Sequence, residues 1–203
     1  MEKEDYKFEV TNLKISVKLP RAVSLKFVDD RCKLLQPIHK GIFCKKCGKN
    51  ILTVRYRNFT YILFKKSSKV SPQGINRNQH CNITKIRSES EIPEAIEHLF
   101  FLVNQSPTFL NYTTDNYSCT ANTNQFIDIV KLYMNETRIS CSFNEQVFPA
   151  LYIYCPRKIS EKSEGLCCLL YTTGSAVLVG GKNLEETKEF FNWVVKITQK
   201  YTI

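Results

Sequence analysis

The stretch "GIFCKKCGK" sets Cys44 and Cys47 at the spacing of a zinc knuckle. A tetrahedral site needs two further ligands, and the chain has no second CxxC. Cys32, His39 or the adjacent His80 and Cys81 supply them only if separate loops converge. Cys44 and Cys47 therefore stand as weak metal candidates, and no metal is expected. "GSAVLVGGK" resembles a phosphate loop superficially but lacks GxxxxGK[ST] spacing, and reads better as a strand running into a turn. The three His join no recognisable Ser/His/Asp or paired-carboxylate constellation, so neither an enzyme nor a cofactor is expected. The remaining candidate is an aromatic one. In "NEQVFPALYIYCPR", Phe148 stands at the mouth of an apolar run beside a polar loop, and Pro149 fits the first residue of a strand because it cannot donate to a ladder.

Composition narrows the partner. The net charge of +10 is spread along 203 residues rather than gathered in a tail, which favours a polyanion, nucleic acid first, bound with counterion release. Hydrophobic residues make up 43% and thirteen are Phe, enough for a packed core. No apolar run reaches the ~18 residues that span a membrane, so no membrane role is expected. The charged start "MEKEDYKFEV" lacks a hydrophobic signal region, so secretion is not expected and the nine cysteines read as reduced thiols. The six Asn-x-Ser/Thr sequons are then chance products of an Asn-rich chain.

The elements that must position these residues recur. "ESEIPEAIEHLFFLV" places Ile92, Ile96, Leu99, Phe100 and Val103 on one helical face, with Pro93 in the first turn. "NLEETKEFFNWVVKI" offers Asn183 as a cap and Phe190, Val194 and Ile197 on one face. Each closes a half with the same order of strands. The first half reads as strand "FEVTNLKISVKL", short helix "AVSLKFVDD", then strands "NILTVRYR", "FTYILFKK" and "HCNITKI". The second reads as "DNYSCTANT", short helix "FIDIVKLYM", then "FPALYIYC", "LCCLLYTT" and "SAVLVGGK". Strands following one another without helices between most of them predict a mainly antiparallel sheet. The repeats are expected over 8–103 and 112–199, joined by "NQSPTFLN", with insertions near 36–48 and 67–80 in the first.

This tandem order, with "FPALYIYCPR…LCCLLYTTGSAVLVGGKNLEE", resembles the core of the TATA-box-binding-protein family, and the second half resembles it more strongly. The resemblance implies an α+β fold: a pseudo-twofold saddle whose curved antiparallel sheet of about ten strands carries helices on its convex side. It implies that the concave side lies along the minor groove of AT-rich promoter DNA and bends it. In such a complex apolar rings enter opened base steps, because a ring fills the gap without leaving a polar group unsatisfied.

Carried over residue by residue, the resemblance makes Phe148 and Tyr171 the second intercalating pair, and Phe64 with Phe43 the first. It makes Asn12 and Asn116 paired central asparagines, whose amides suit the acceptors of A·T pairs. Thr84, with Val179 at the matching place, and the apolar Ile62, Leu169 and Val177 complete the groove contacts. Lys14, Asn82 and Ser118 stand where the family carries valines, which loosens sequence readout and, at Lys14, adds a cation. Arg55, Arg57 and Lys182 are implied phosphate contacts. The loop Asn144, Glu145, Gln146 and Val147 is the implied partner surface for a transcription factor IIB-like protein, although Asn144 and Gln146 replace acids of the family.

The expected function is a divergent general transcription factor that binds and bends promoter DNA and recruits other initiation factors and an RNA polymerase assembly. A nuclear location follows, or a viral factory or virion if the source is a large DNA virus; the Asn/Lys/Ile-rich composition also fits a parasitic eukaryote. The rivals are an interaction scaffold that keeps the saddle without bending DNA, and a zinc-dependent module.

Overall fold

A computed structural model describes residues 6–66, 79–107, 111–157, 159 and 165–203. The expected insertion at 67–80 falls largely outside them, as do residues 108–110 of the linker "NQSPTFLN". The chain divides into two compact units: Leu13–Thr114, here the first-half unit, and Met1–Asn12 with Asp115–Ile203, the second-half unit.

Strand β1 (Phe8–Lys18) is followed by helix α1 (Leu25–Leu35), strands β2 (Phe43–Lys46), β3 (Ile51–Tyr56), β4 (Phe59–Phe64) and β5 (His80–Ile86), and helix α2 (Ile92–Val103). The order then repeats as β6 (Tyr112–Asn122), α3 (Ile129–Asn135), β7 (Cys141–Asn144), β8 (Phe148–Tyr154), β9 (Cys167–Leu170), β10 (Ser175–Gly181) and α4 (Leu184–Thr198). In the first-half unit the strands lie in the order β2-β3-β4-β5-β1, and in the second-half unit β6-β10-β9-β8-β7, with antiparallel neighbours. The α+β class expected from the sequence therefore holds. The alternation of apolar residues announced eight strands; β2 and β7, four residues each at the sheet edges, completed the ten.

Period-two burial explains why these segments are strands. In β3, Leu52, Val54 and Tyr56 are buried while Ile51, Thr53 and Arg55 are not, so one face packs and the other stays open. The packed face meets α2, whose Ile92, Ile96, Leu99, Phe100 and Val103 are all buried. In the second-half unit Leu151, Ile153, Cys168, Leu170 and Leu178 turn inward, and α4 buries Phe190, Phe191 and Val194. That helix starts where the Asn183 side chain accepts from the N–H groups of Glu185 (2.8 Å) and Glu186 (3.3 Å). Its acids near the first turn and Lys196 in the last complement the helix dipole.

Both halves interrupt the ladder at the same place. The β10–β6 register shifts between Leu178 and Gly181, and the β5–β1 register shifts between Leu13 and Ile15. The residues with positive φ at these bulges are Gly180 (φ 89) and Lys85 (φ 68). Glycine takes that backbone freely, whereas lysine does so against its Cβ.

Candidate nucleic-acid interface

The ladder registers place the sequence-selected residues. In the second-half unit Val177 lies opposite Leu169 and Thr120, Leu169 opposite Tyr152, and Val179 opposite Cys167. All occupy the face that the helices leave open, and Asn116, Ser118 and Asn122 follow on β6 by alternation. Side chains on this face of strands β6, β9 and β10 include no Lys, Arg, Asp or Glu. Cys167 is no nucleophile there: burial pushes its thiol up to about 11, so it stays protonated at neutral pH.

At one end of this face Phe148 and Tyr171 meet, ring centroids 6.1 Å apart and inclined 61°. Tyr152, which the sequence reading did not select, joins them at 5.8 Å from Phe148. Strand alternation could have found it, since Tyr152 shares parity with Phe148 in "FPALYIY". The turn Asn144–Val147 closes the β7–β8 hairpin with an N–H of Val147 donating to the Asn144 carbonyl at 3.0 Å, and all four side chains are exposed. Lys182 follows β10 at an exposed position.

Asn116 has a fixed orientation. The backbone N–H of Gly180 donates to its Oδ1 at 2.7 Å, and a backbone N–H can only donate, so the amide nitrogen is the other end. That Nδ2 donates to the Ser118 hydroxyl at 3.3 Å and keeps a second hydrogen to offer. Gly180 was also absent from the candidate residues; its positive φ is what aims this N–H at the asparagine.

The first-half unit carries the same plan with different chemistry. Ile62 lies opposite Asn82 and Thr53, Asn82 opposite Ser16, and Thr60 opposite Thr84. The Ser16 hydroxyl donates to Asn82 Oδ1 at 2.8 Å, which again leaves the amide hydrogens for another acceptor. Lys14, Lys18, Lys45 and Arg55 share this face by alternation, with no carboxylate among its strand residues. Asn12 is half-buried on β1 within the second-half unit.

Two placements differ from the expectation. Phe64, 37% exposed, lies opposite Ile51, but Phe43, 53% exposed, lies opposite Arg55 on edge strand β2. Four strand residues separate the two pairs, about 13 Å, so the structure does not bring Phe43 beside Phe64. Among the described residues Phe64 has no ring neighbour. Arg57 sits in the β3–β4 turn on the helix side, where it pairs with Glu94 at 3.2 Å and covers the Tyr56 ring at 5.8 Å.

The CxxC cysteines also part. Cys44 lies on the helix side of β2, half-buried near Cys32, while Cys47 is exposed and approaches the Thr53 hydroxyl at 3.7 Å. Among the described residues no three His, Cys, Asp or Glu are grouped to hold a metal ion. No helix among them is long and apolar enough to cross a membrane.

Comparison with known proteins agrees with this geometry. Residues 111–201 match the family model described as transcription factor TFIID, or TATA-binding protein. The solved TATA-binding protein of Methanococcus jannaschii has TM-score 0.69 at 14% identity, covering 96% of this chain and 99% of that one. A heterotetrameric sarcosine oxidase from Corynebacterium sp. U-96 reaches TM-score 0.33 at 8% identity over 96% of this chain and 83% of its own, too little for any argument. No curated protein matches. Residues 111–201 are thus similar in sequence to the TATA-binding-protein family, and the fold of the solved TATA-binding protein is shared over both halves.

Proposed function

We propose that this chain is a transcription factor that binds AT-rich promoter DNA through the minor groove and bends it, acting as two repeats over 8–103 and 112–199 without catalysing a reaction. The observation that carries the reading is the fixed amide of Asn116, whose carbonyl end is occupied by Gly180 and whose N–H end is free to donate. The minor-groove edge of an A·T pair offers acceptors only, whereas G·C adds an amino donor that would meet this amide donor to donor. Asn82, held by Ser16, has the same sense. Val177, Val179, Leu169 and Ile62 supply apolar contact. Asn12, Thr84 and Ser118 add short polar contacts, Lys14 brings a cation into the groove, and Arg55 and Lys182 meet phosphate. Phe148 and Tyr171 enter an opened base step, which costs a few kcal/mol and is offset by the contact that bent DNA makes with the sheet.

The exposed turn Asn144–Val147 is the proposed docking point for a transcription factor IIB-like protein, which with other initiation factors would bring an RNA polymerase to a nuclear promoter. The test is an electrophoretic shift with fluorescence-transfer bending on AT-rich and G·C-rich duplexes. A shift and a shortened end-to-end distance on AT-rich DNA, lost in Asn116→Asp, are expected. A folded protein that leaves both duplexes straight would sink the reading and favour the scaffold.

A further inference from the structure

The rings and the charges are distributed unequally between the halves, and the ladders make the comparison residue by residue. Leu151 lies opposite Leu170 in the second-half unit, as Leu52 lies opposite Leu63 in the first. One step beyond Leu170 is Tyr171, and one step beyond Leu63 is Phe64. Three steps before Leu151 is Phe148, and three steps before Leu52 is Lys49. The place that holds an aromatic ring in one unit therefore holds an exposed cation, at the tip of the β2–β3 hairpin, in the other. Phe43 does not replace the missing ring, because it stands four residues away along the ladder.

The charges run the opposite way. Lys14, Lys18, Lys45 and Arg55 line the open face of the first-half unit, while β6, β9 and β10 bring no charged side chain to the open face of the second-half unit. A ring cluster opens a base step by filling it. A cation cannot fill that gap, since burying an ammonium between bases costs far more than leaving it on a phosphate.

We infer that the protein opens bound DNA at a single step, under the Phe148–Tyr171–Tyr152 cluster, and holds the other end of the site by charge without unstacking it. This deepens the reading above and rests on it. It has a directional consequence: the cationic unit and the ring-bearing unit are not interchangeable on the duplex, so the kink marks the end occupied by the second-half unit.

The experiment places 2-aminopurine at each adenine of an AT-rich duplex in turn, and follows both its fluorescence and binding by anisotropy. Unstacking raises the fluorescence. Wild-type protein is expected to raise it at one step, Phe148→Ala to abolish that rise, and Lys49→Phe to add a second rise toward the opposite end. Lys49→Ala leaves the single rise in place and lowers the slope of log K against log salt by about one. Two separated rises with wild-type protein, one of them removed by Phe64→Ala, overturn the inference, as does tight binding with no rise anywhere. Absence of binding by anisotropy refutes instead the DNA-binding reading on which it stands. Circular-dichroism melting of each variant shows whether a lost rise reflects a lost fold.

Discussion

The N–H of Gly180 donates to Oδ1 of Asn116 across 2.7 Å, tying a bulged strand to a side chain on the open face of the sheet. Two substitutions separate the two ends of this amide. Asn116→Ala strands a part-buried N–H and is expected to cost about 1–3 kcal/mol by urea denaturation. Asn116→Asp keeps the acceptor that Gly180 needs and loses the outward donor, so stability stays near wild type while DNA binding falls. Wild-type DNA binding by Asn116→Asp would show that the outward N–H contributes nothing to DNA.

Phe148 and Tyr171 form an edge-on pair, and a double-mutant cycle with Phe148→Ala and Tyr171→Ala should give a coupling of about 0.5–1.5 kcal/mol in unfolding free energy. Tyr171→Phe keeps the ring and is expected to change stability by less than about 0.5 kcal/mol and bending not at all. A straightened complex with Tyr171→Phe would assign the work to the hydroxyl instead. The double variant Phe148→Ala/Phe64→Ala should bind weakly and bend little in the fluorescence-transfer assay.

Salt dependence distinguishes the cations. Lys14→Ala and Arg55→Ala should each reduce the slope of log K against log salt by about one, because each removes one cation from the proposed DNA-binding face. Arg57→Ala should leave that slope unchanged, because Arg57 is engaged by Glu94 and Tyr56 on the helix side. Binding measured across a salt series reports all three.

His98 gives the fold a pH response near neutrality. Its ring packs on Tyr56 at 5.0 Å and Phe59 at 5.9 Å, and its Nδ1 is buried without a hydrogen-bond partner. Burial first, then the charge of Arg57, holds its pKa below the usual 6.5, against the opposing pull of Glu94 and Glu97. Because the folded value lies below the unfolded one, the neutral ring contributes stability above about pH 6.5 and that contribution is lost as pH falls through the folded pKa. The midpoint of urea unfolding should therefore decline on acidification below 6.5, and His98→Phe should flatten the decline. An identical pH profile in both proteins would exclude His98 as the group responsible.

The order of elements was legible because it is written in local patterns. Buried Ile96, Leu99 and Phe100 recur at helical spacing, and Leu52, Val54 and Tyr56 at strand spacing. Strands β2 and β7 were not legible, since four residues at an edge carry too few alternations to stand out. The placement of Phe43 was hidden for a related reason: a hairpin's register decides which residue lies opposite Arg55, and no count along one strand reveals it. Tyr152 was within reach of the alternation that selected its neighbours. The hold of Gly180 on Asn116 was not, because it joins residues 64 apart in sequence through a bulge.

Lys85 and Gly180 share a positive φ at corresponding bulges of the two halves. One half carries the residue that takes this backbone without strain, and the other carries a lysine on the same path. The pairing of neighbouring strands, rather than the residue itself, thus dictates the course of the main chain there. The sequence match to a known family covers 111–201, while likeness of shape reaches 96% of the chain.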